Sequence, residues 1–256
     1  MDYEKALNAF KDFVQKYDQT NDKINLKIEH TYKVVEISEY IAKSLKLNNE
    51  DIYLAKIIAL LHDIGRFDQA KFFDSFDDYM TIDHANHGVK LLFDDGLIKD
   101  FSIDEKYHDI IFHAVKSHNK YAIEEDLTEK QLLHSKIIRD ADKIDIFRVI
   151  LNSPIIFTDN VFTENEIISD KIFEYIMNSK LIDRRHRKTK IDNQVSYIGF
   201  VFDYNFDISL KYIKSKDYVN TLIDGFIYEN PDTKRKMALI KNHANKYLDE
   251  KLKDLE

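Results

Sequence analysis

A chain of 256 residues with only five glycines and two prolines has few of the residues that tight turns and strand reversals demand. Lys, Glu, Ile and Leu are abundant, and with so few breakers they favour long helices over short strands. Helical periodicity runs nearly end to end, with no internal repeat, low-complexity tract or Gly/Ser linker. An all-α fold is expected. Residues 4–17 read as a first helix. A second runs from about Ile24 to Leu45, with Ile24, Ile28, Val35, Ile41 and Leu45 near one stripe.

Asn48-Asn49 offers an N-cap for a helix through LAKIIALLHDIG, which is apolar on nearly every side and so should be central and buried. Gly65 reads as the residue that stops it, which puts His62 and Asp63 in the last turn, where the helix dipole favours a cation. Asp83 can cap a helix starting at His84, and residues 106–120 form another. Thr128 and Gln131 have capping-box spacing and open a helix to about Leu151; Thr163 and Glu166 repeat the signature. Asn230-Pro231 starts a terminal helix. Segments 66–82, 152–162 and 184–196 read as loops.

At this length one domain can bury roughly 70–75% of its unfolded surface. Apolar residues at 44% and charged residues at 33% indicate a globular chain. The absence of cysteine excludes disulfides and thiolate metal sites, so any metal must be held by His and carboxylate. The N-terminal MDYEKALNAF carries no signal-peptide core, and no apolar run approaches membrane-spanning length; a soluble, cytoplasmic protein with no membrane partner is expected. A net charge of −8 argues against a nucleic-acid backbone as main partner, but not against a small phosphorylated substrate at a local cationic site. A homo-oligomer stays open.

The most informative string is LLHDIGR, residues 60–66. Burying an adjacent His and Asp in an apolar helix costs several kcal/mol, on the order of a desolvated polar or charged group, unless both are satisfied. A buried His–Asp hydrogen bond would do so, and so would a divalent cation. His30 lies in IEHTYKVVEIS, beside the apolar stripe of the second helix. IIRDADKIDIF, residues 137–147, places Asp140, Asp142 and Asp145 inside an apolar-periodic helix.

An early His within a helix, an apolar helix ending in His-Asp, and a late Asp-Ala-Asp helix resemble the HD-domain metal-dependent phosphohydrolase superfamily over about residues 24–150. The resemblance implies a single-domain, HD-type all-α helical bundle over 1–256, with a core at 24–150 and extra C-terminal helices at 151–256. It implies His30, His62, Asp63 and Asp142 as metal ligands, with Asp142 preferred to Asp140 because the superfamily's ligand is generally the second Asp of such a triplet. Two-metal members place a His four residues before a Gly that opens a helix, which His84 and Gly88 fit, and another near the end of the following helix, which His118 fits better than His113. His84 and His118 would then hold a second ion, with Asp63 bridging; His87 is the rival to His84. The cofactor is one or two divalent ions drawn from Mn, Fe, Mg, Co, Ni and Zn.

Four neutral imidazoles and two carboxylates carry −2, and two divalent ions carry +4, leaving +2 for anionic oxygens to balance. Arg66, directly after Gly65, can reach back to bind phosphate bidentately, or lie on the surface. Lys143 and Arg139 flank Asp142 and either contact substrate or neutralise Asp140 and Asp145. Asn119 and Lys120 are weaker substrate contacts. The basic run RRHRKTK (184–190) reads as a solvated loop, and SYIGFVFDYNF (196–206) as core. The expected activity is hydrolysis of a small phosphorylated metabolite or nucleotide by metal-activated water, with Asp63 and Arg66 in catalytic roles. No Gly-Tyr-Pro follows His118, which disfavours the cyclic di-nucleotide branch. Two other functions are carried beside it: a di-iron oxygenase built on the same six ligands, and a nucleotide-binding regulatory module without turnover.

Overall fold

The computed structural model describes residues 2–152 and 161–253, which divide into two compact units, Met1–Asp145 and Ile146–Glu256. The described residues are predominantly helical, with almost no strand, as the scarcity of breakers favours. None of these helices is long and apolar enough to cross a membrane.

The first unit begins with α1 (Tyr3–Val14) and α2 (Asp22–Ser44), capped by the side chains of Asp2 and Asn21. Asn48 caps α3 (Asn49–Leu61), whose Leu54, Ala55, Ile57, Ile58, Ala59, Leu60 and Leu61 are all buried. This is the central helix that its all-round apolar surface anticipates, and α2, α1 and α6 (His108–Ser117) pack on it. Each such leucine or isoleucine contributes about 1.5–3 kcal/mol by leaving water.

The expected loop over 66–82 is helical in its first half. The chain turns at His62 and Asp63 and resumes as α4 (Ile64–Phe73), which buries Phe67, Gln69 and Ala70. Gly65 therefore does not end a helix. It lies in the first turn of α4, where a Cβ would overlap the carbonyl oxygen of His84 and come within 2.8 Å of the Gly88 nitrogen. The residue is small so that α4 can touch α5 (His84–Val89) backbone to backbone. The stop comes nine residues later at Asp74, whose left-handed backbone (φ 48°) closes α4. Asp83 caps α5 through the Ala85 and Asn86 amides.

Helix α7 (Glu129–Asn152) opens with the anticipated Thr128–Gln131 capping box and carries the Asp-Ala-Asp run. The boundary between the two units falls inside it.

In the second unit, residues 153–160 of the expected 152–162 loop lie outside the described residues. Val161–Phe162 then pairs in parallel with Ile227–Tyr228. The helices are α8 (Asp170–Met177), α9 (Lys190–Ile198), α10 (Asp207–Ser215), α11 (Tyr218–Asp224) and α12 (Pro231–Leu252), the last capped by Asn230. Thr163 and Glu166 do not open a helix. They form a turn, and the Glu166 carboxylate accepts from the Ile191 amide at the start of α9. The expected 184–196 loop is likewise helical from Lys190, because Thr189 and Asp192 make a capping box there. In 196–206, Ser196, Ile198, Gly199 and Val201 are buried, while all five aromatic residues are half-buried rather than core.

Candidate metal centre

Asp63 sits between helices rather than in the last turn of one. Its backbone (φ −103°, ψ 18°) falls in the sparsely populated bridge region at the N-cap of α4, yet its side chain caps nothing. Both carboxylate oxygens are left to face side chains drawn from elsewhere.

Oδ2 lies 3.6 Å from Nε2 of His30 and 3.6 Å from Nε2 of His62. Those two nitrogens are 3.4 Å apart, and Oδ1 of Asp142 stands 3.1 Å from the first and 3.7 Å from the second. Oδ1 of Asp63 faces the other way, 3.3 Å from Nε2 of His84 and 3.6 Å from Nε2 of His118, which are themselves 2.9 Å apart. Two groups able to hold a cation thus meet at one carboxylate: His30, His62 and Asp63, with Asp142 beside them, and Asp63, His84 and His118. Helices α2, α5, α6 and α7 and the α3–α4 junction bring these residues together from across some 110 positions of chain.

The far nitrogens explain what the near ones offer. His30 Nδ1 faces Asp145 at 2.7 Å, His62 Nδ1 the Ala59 carbonyl at 2.7 Å, His118 Nδ1 the Val115 carbonyl at 2.7 Å, and His84 Nδ1 both oxygens of Asp78 at 2.8 and 2.9 Å. Carbonyls and carboxylates only accept, so each Nδ1 carries the proton and donates. In the neutral rings, four Nε2 lone pairs therefore converge around Asp63. Buried lone pairs that face one another need a proton or a cation between them, and a ring anchored through its other N–H is the arrangement metal-ligating histidines adopt.

Electrostatics keep the groups in ligand form. Burial would raise the Asp63 pKa, but the Lys27 ammonium and the surrounding imidazoles hold it well below the usual range. Burial would raise Asp142 too, but His30, 3.1 Å away, holds it well below the usual range. Burial lowers His62, and burial with the nearby Arg66 charge lowers His84 to about 3. His30 is the exception. Burial and Lys27 push it down, but Asp142 and Asp145 outweigh them and its pKa is raised.

The rival residues lie elsewhere. His87 pairs with Asp68 at 2.8 Å and His113 with Glu124 at 3.0 Å, so neither joins the centre. Asp145 supports His30, while Asp140 is fully buried. Arg66 is not a surface residue. Its Nη1 donates to Gln69, the Phe76 carbonyl and Asp78, and its buried Nε, 3.7 Å from Asp63 Oδ1, has no hydrogen-bond partner. The Asn119 amide donates to Asp78 and Asp83, and Lys120 pairs with Asp83. Lys143 is buried on α7. Arg139 donates to the carbonyls of Ser117, Lys120 and Tyr121, pinning the turn that follows His118.

Two participants go unnoticed in the sequence. Lys27 Nζ lies 2.6 Å from Asp63 Oδ2; its place three residues before His30, on one helical face, is a signal that could have found it. Asp78, which holds both His84 and Arg66, lies in a non-helical segment without periodicity and gives no such signal.

No curated protein and no solved structure matches the chain. The HD domain family model matches residues 28–146, the stretch from α2 into α7 that contains all six candidate ligands. The match, over somewhat less than half of the chain, supports an HD domain in residues 28–146.

Proposed function

We propose that this chain is a metal-dependent phosphohydrolase acting on a small phosphorylated metabolite or nucleotide. The observation that carries the reading is the convergence of four anchored imidazoles and the Asp142 carboxylate around Asp63, whose two oxygens serve two separate groups. His30, His62, Asp63 and Asp142 would hold one divalent ion, and Asp63, His84 and His118 a second. Bound there, such ions supply a Lewis acid for phosphoryl oxygens and lower the pKa of a coordinated water.

The remaining work falls to the chain's own residues. Among the six candidate ligands Asp142 has the most exposed side chain, at 15%, and Arg66 and Lys27 are each 14% exposed, so these three mark the side open to a substrate. A buried guanidinium N–H without an acceptor costs about 1–3 kcal/mol. The Arg66 Nε is such a donor, and a phosphate oxygen beside Asp63 would satisfy it. Asp78 fixes that guanidinium and the His84 ring together, so substrate contact and ligand geometry share one support. The four imidazoles are themselves buried away from water.

The test pairs elemental analysis of the purified protein with a phosphate-release screen across nucleotides and other phosphate monoesters. One or two divalent ions per chain, and release that a chelator abolishes, are expected. Iron with an oxygen-dependent product would replace the reading by an oxygenase, and tight nucleotide binding without release under every metal would replace it by a binding module.

A further inference from the structure

Lys27 lies one helical turn before His30, and its ammonium sits 2.6 Å from Asp63 Oδ2, the oxygen turned toward His30 and His62. That oxygen has two claimants, since a divalent ion held by the first group would bind the same atom. Two cations crowded on one carboxylate oxygen repel, and the monovalent one, on a flexible four-carbon stem, is the one that can leave.

It has a place to go. The ammonium lies 5.1 Å from the centre of the Phe76 ring, and the Arg66 guanidinium stands 5.6 Å from the same ring. Leaving Asp63 therefore need not take Lys27 away from Arg66, whose buried Nε has no acceptor. Two cations sharing one aromatic ring at the open side of the centre suit a group with two negative charges and several acceptor oxygens.

Resting on the metal-dependent reading above, we propose that Lys27 is a displaceable internal cation. It neutralises Asp63 until a divalent ion takes Oδ2, and the released ammonium then joins Arg66 in binding a dianionic phosphate group. Ion binding and phosphate binding are thereby ordered: the first frees the cation that the second uses.

The role separates from that of a structural ion pair because it predicts opposite changes in two affinities. Mn2+ is titrated calorimetrically into the ion-stripped full chain, with Zn2+ and Fe2+ in parallel, and inorganic phosphate is then titrated into the loaded protein. K27Q is expected to bind the first ion roughly tenfold or more tighter and phosphate roughly tenfold or more weaker. K27R, which keeps the charge, should stay near wild type in both. Lys23→Gln removes a cation from the same helix, one that pairs with exposed Asp74, and should change neither. Should K27Q not fold by circular dichroism, K27M keeps the apolar stem and carries the same test. Unchanged or weaker ion binding in the variant, or unchanged phosphate binding, overturns the proposal while leaving the metal centre standing. Failure of wild type to bind any of the three ions removes the metal-dependent reading and this inference with it.

Discussion

The two halves of the centre share Asp63 but are built differently. The first takes His30 and Asp142 from α2 and α7, the two longest helices of its unit, and carries a second carboxylate, a carboxylate behind His30, and a lysine already on Asp63. The second has two imidazoles and one oxygen of Asp63, and it hangs on six-residue α5 and on Asp78 in the non-helical segment before it. The difference teaches that charge and long-helix rigidity favour an ion in the first group, while the second depends on supports outside the ligand set.

The largest effect expected is at the shared atom pair. Asp63→Ala removes a ligand from both groups at once and should abolish ion content and lower phosphate release by at least about a thousandfold, the upper range for losing one electrostatic stabiliser. Retention of one ion in that variant would break the picture of a shared carboxylate.

Asp78→Asn sharpens the contrast, because among the six candidate ligands Asp78 holds only His84. Losing the carboxylate behind a ligating imidazole costs about 10–100-fold in metal affinity. The second ion should weaken by that factor while the first stays at wild-type affinity, read by two-site calorimetry. Equal weakening of both would mean that the halves are not separable.

The same contrast governs what the sequence discloses. The first group is legible because its residues break a strong pattern: His62-Asp63 at the end of a helix apolar on nearly every side, and Asp142 and Asp145 inside an apolar-periodic one. His84 and His118 carry no such contradiction on their own, and only the resemblance singles them out from His87 and His113. Asp78 is silent because a residue that acts through a loop follows no period. Gly65 misleads for a physical reason. A helix-stopping glycine and a glycine that permits close helix contact look alike until the partner backbone is known, so α4 reads as loop. Thr163–Glu166 and Thr189–Asp192 share a spacing, and only the second caps a helix; the choice is made by what lies near each turn in the fold.

Gly65→Ala gives a smaller effect that again falls on one half. The added methyl overlaps the His84 carbonyl, so α5 must move off α4. A cost of about 1–3 kcal/mol in urea-induced unfolding is expected, as for overpacking a close contact. In protein that remains folded, the second ion should be weakened and the first preserved. A variant of wild-type stability would show that the backbone contact is looser than the structure has it.

The smallest effect separates the halves by protons. A ligating imidazole must give up any proton on Nε2. The hydrogen bonds to Asp142 and Asp145 raise the His30 pKa above its ordinary value of 6.5, against burial and Lys27, so near and below neutrality a proton competes with the first ion. Burial lowers His84 to about 3, so its ring is already neutral throughout the range in which His30 titrates. Ion binding to the first group should therefore release a proton at about pH 6.5 and below, and its affinity should fall toward about tenfold per unit as pH drops below the raised pKa of His30. At the second group His84 should contribute no proton over the same range. Calorimetric titration in two buffers of different ionisation enthalpy counts the protons directly. Absence of proton release at the first step would show that Asp142 and Asp145 do not hold a proton on His30.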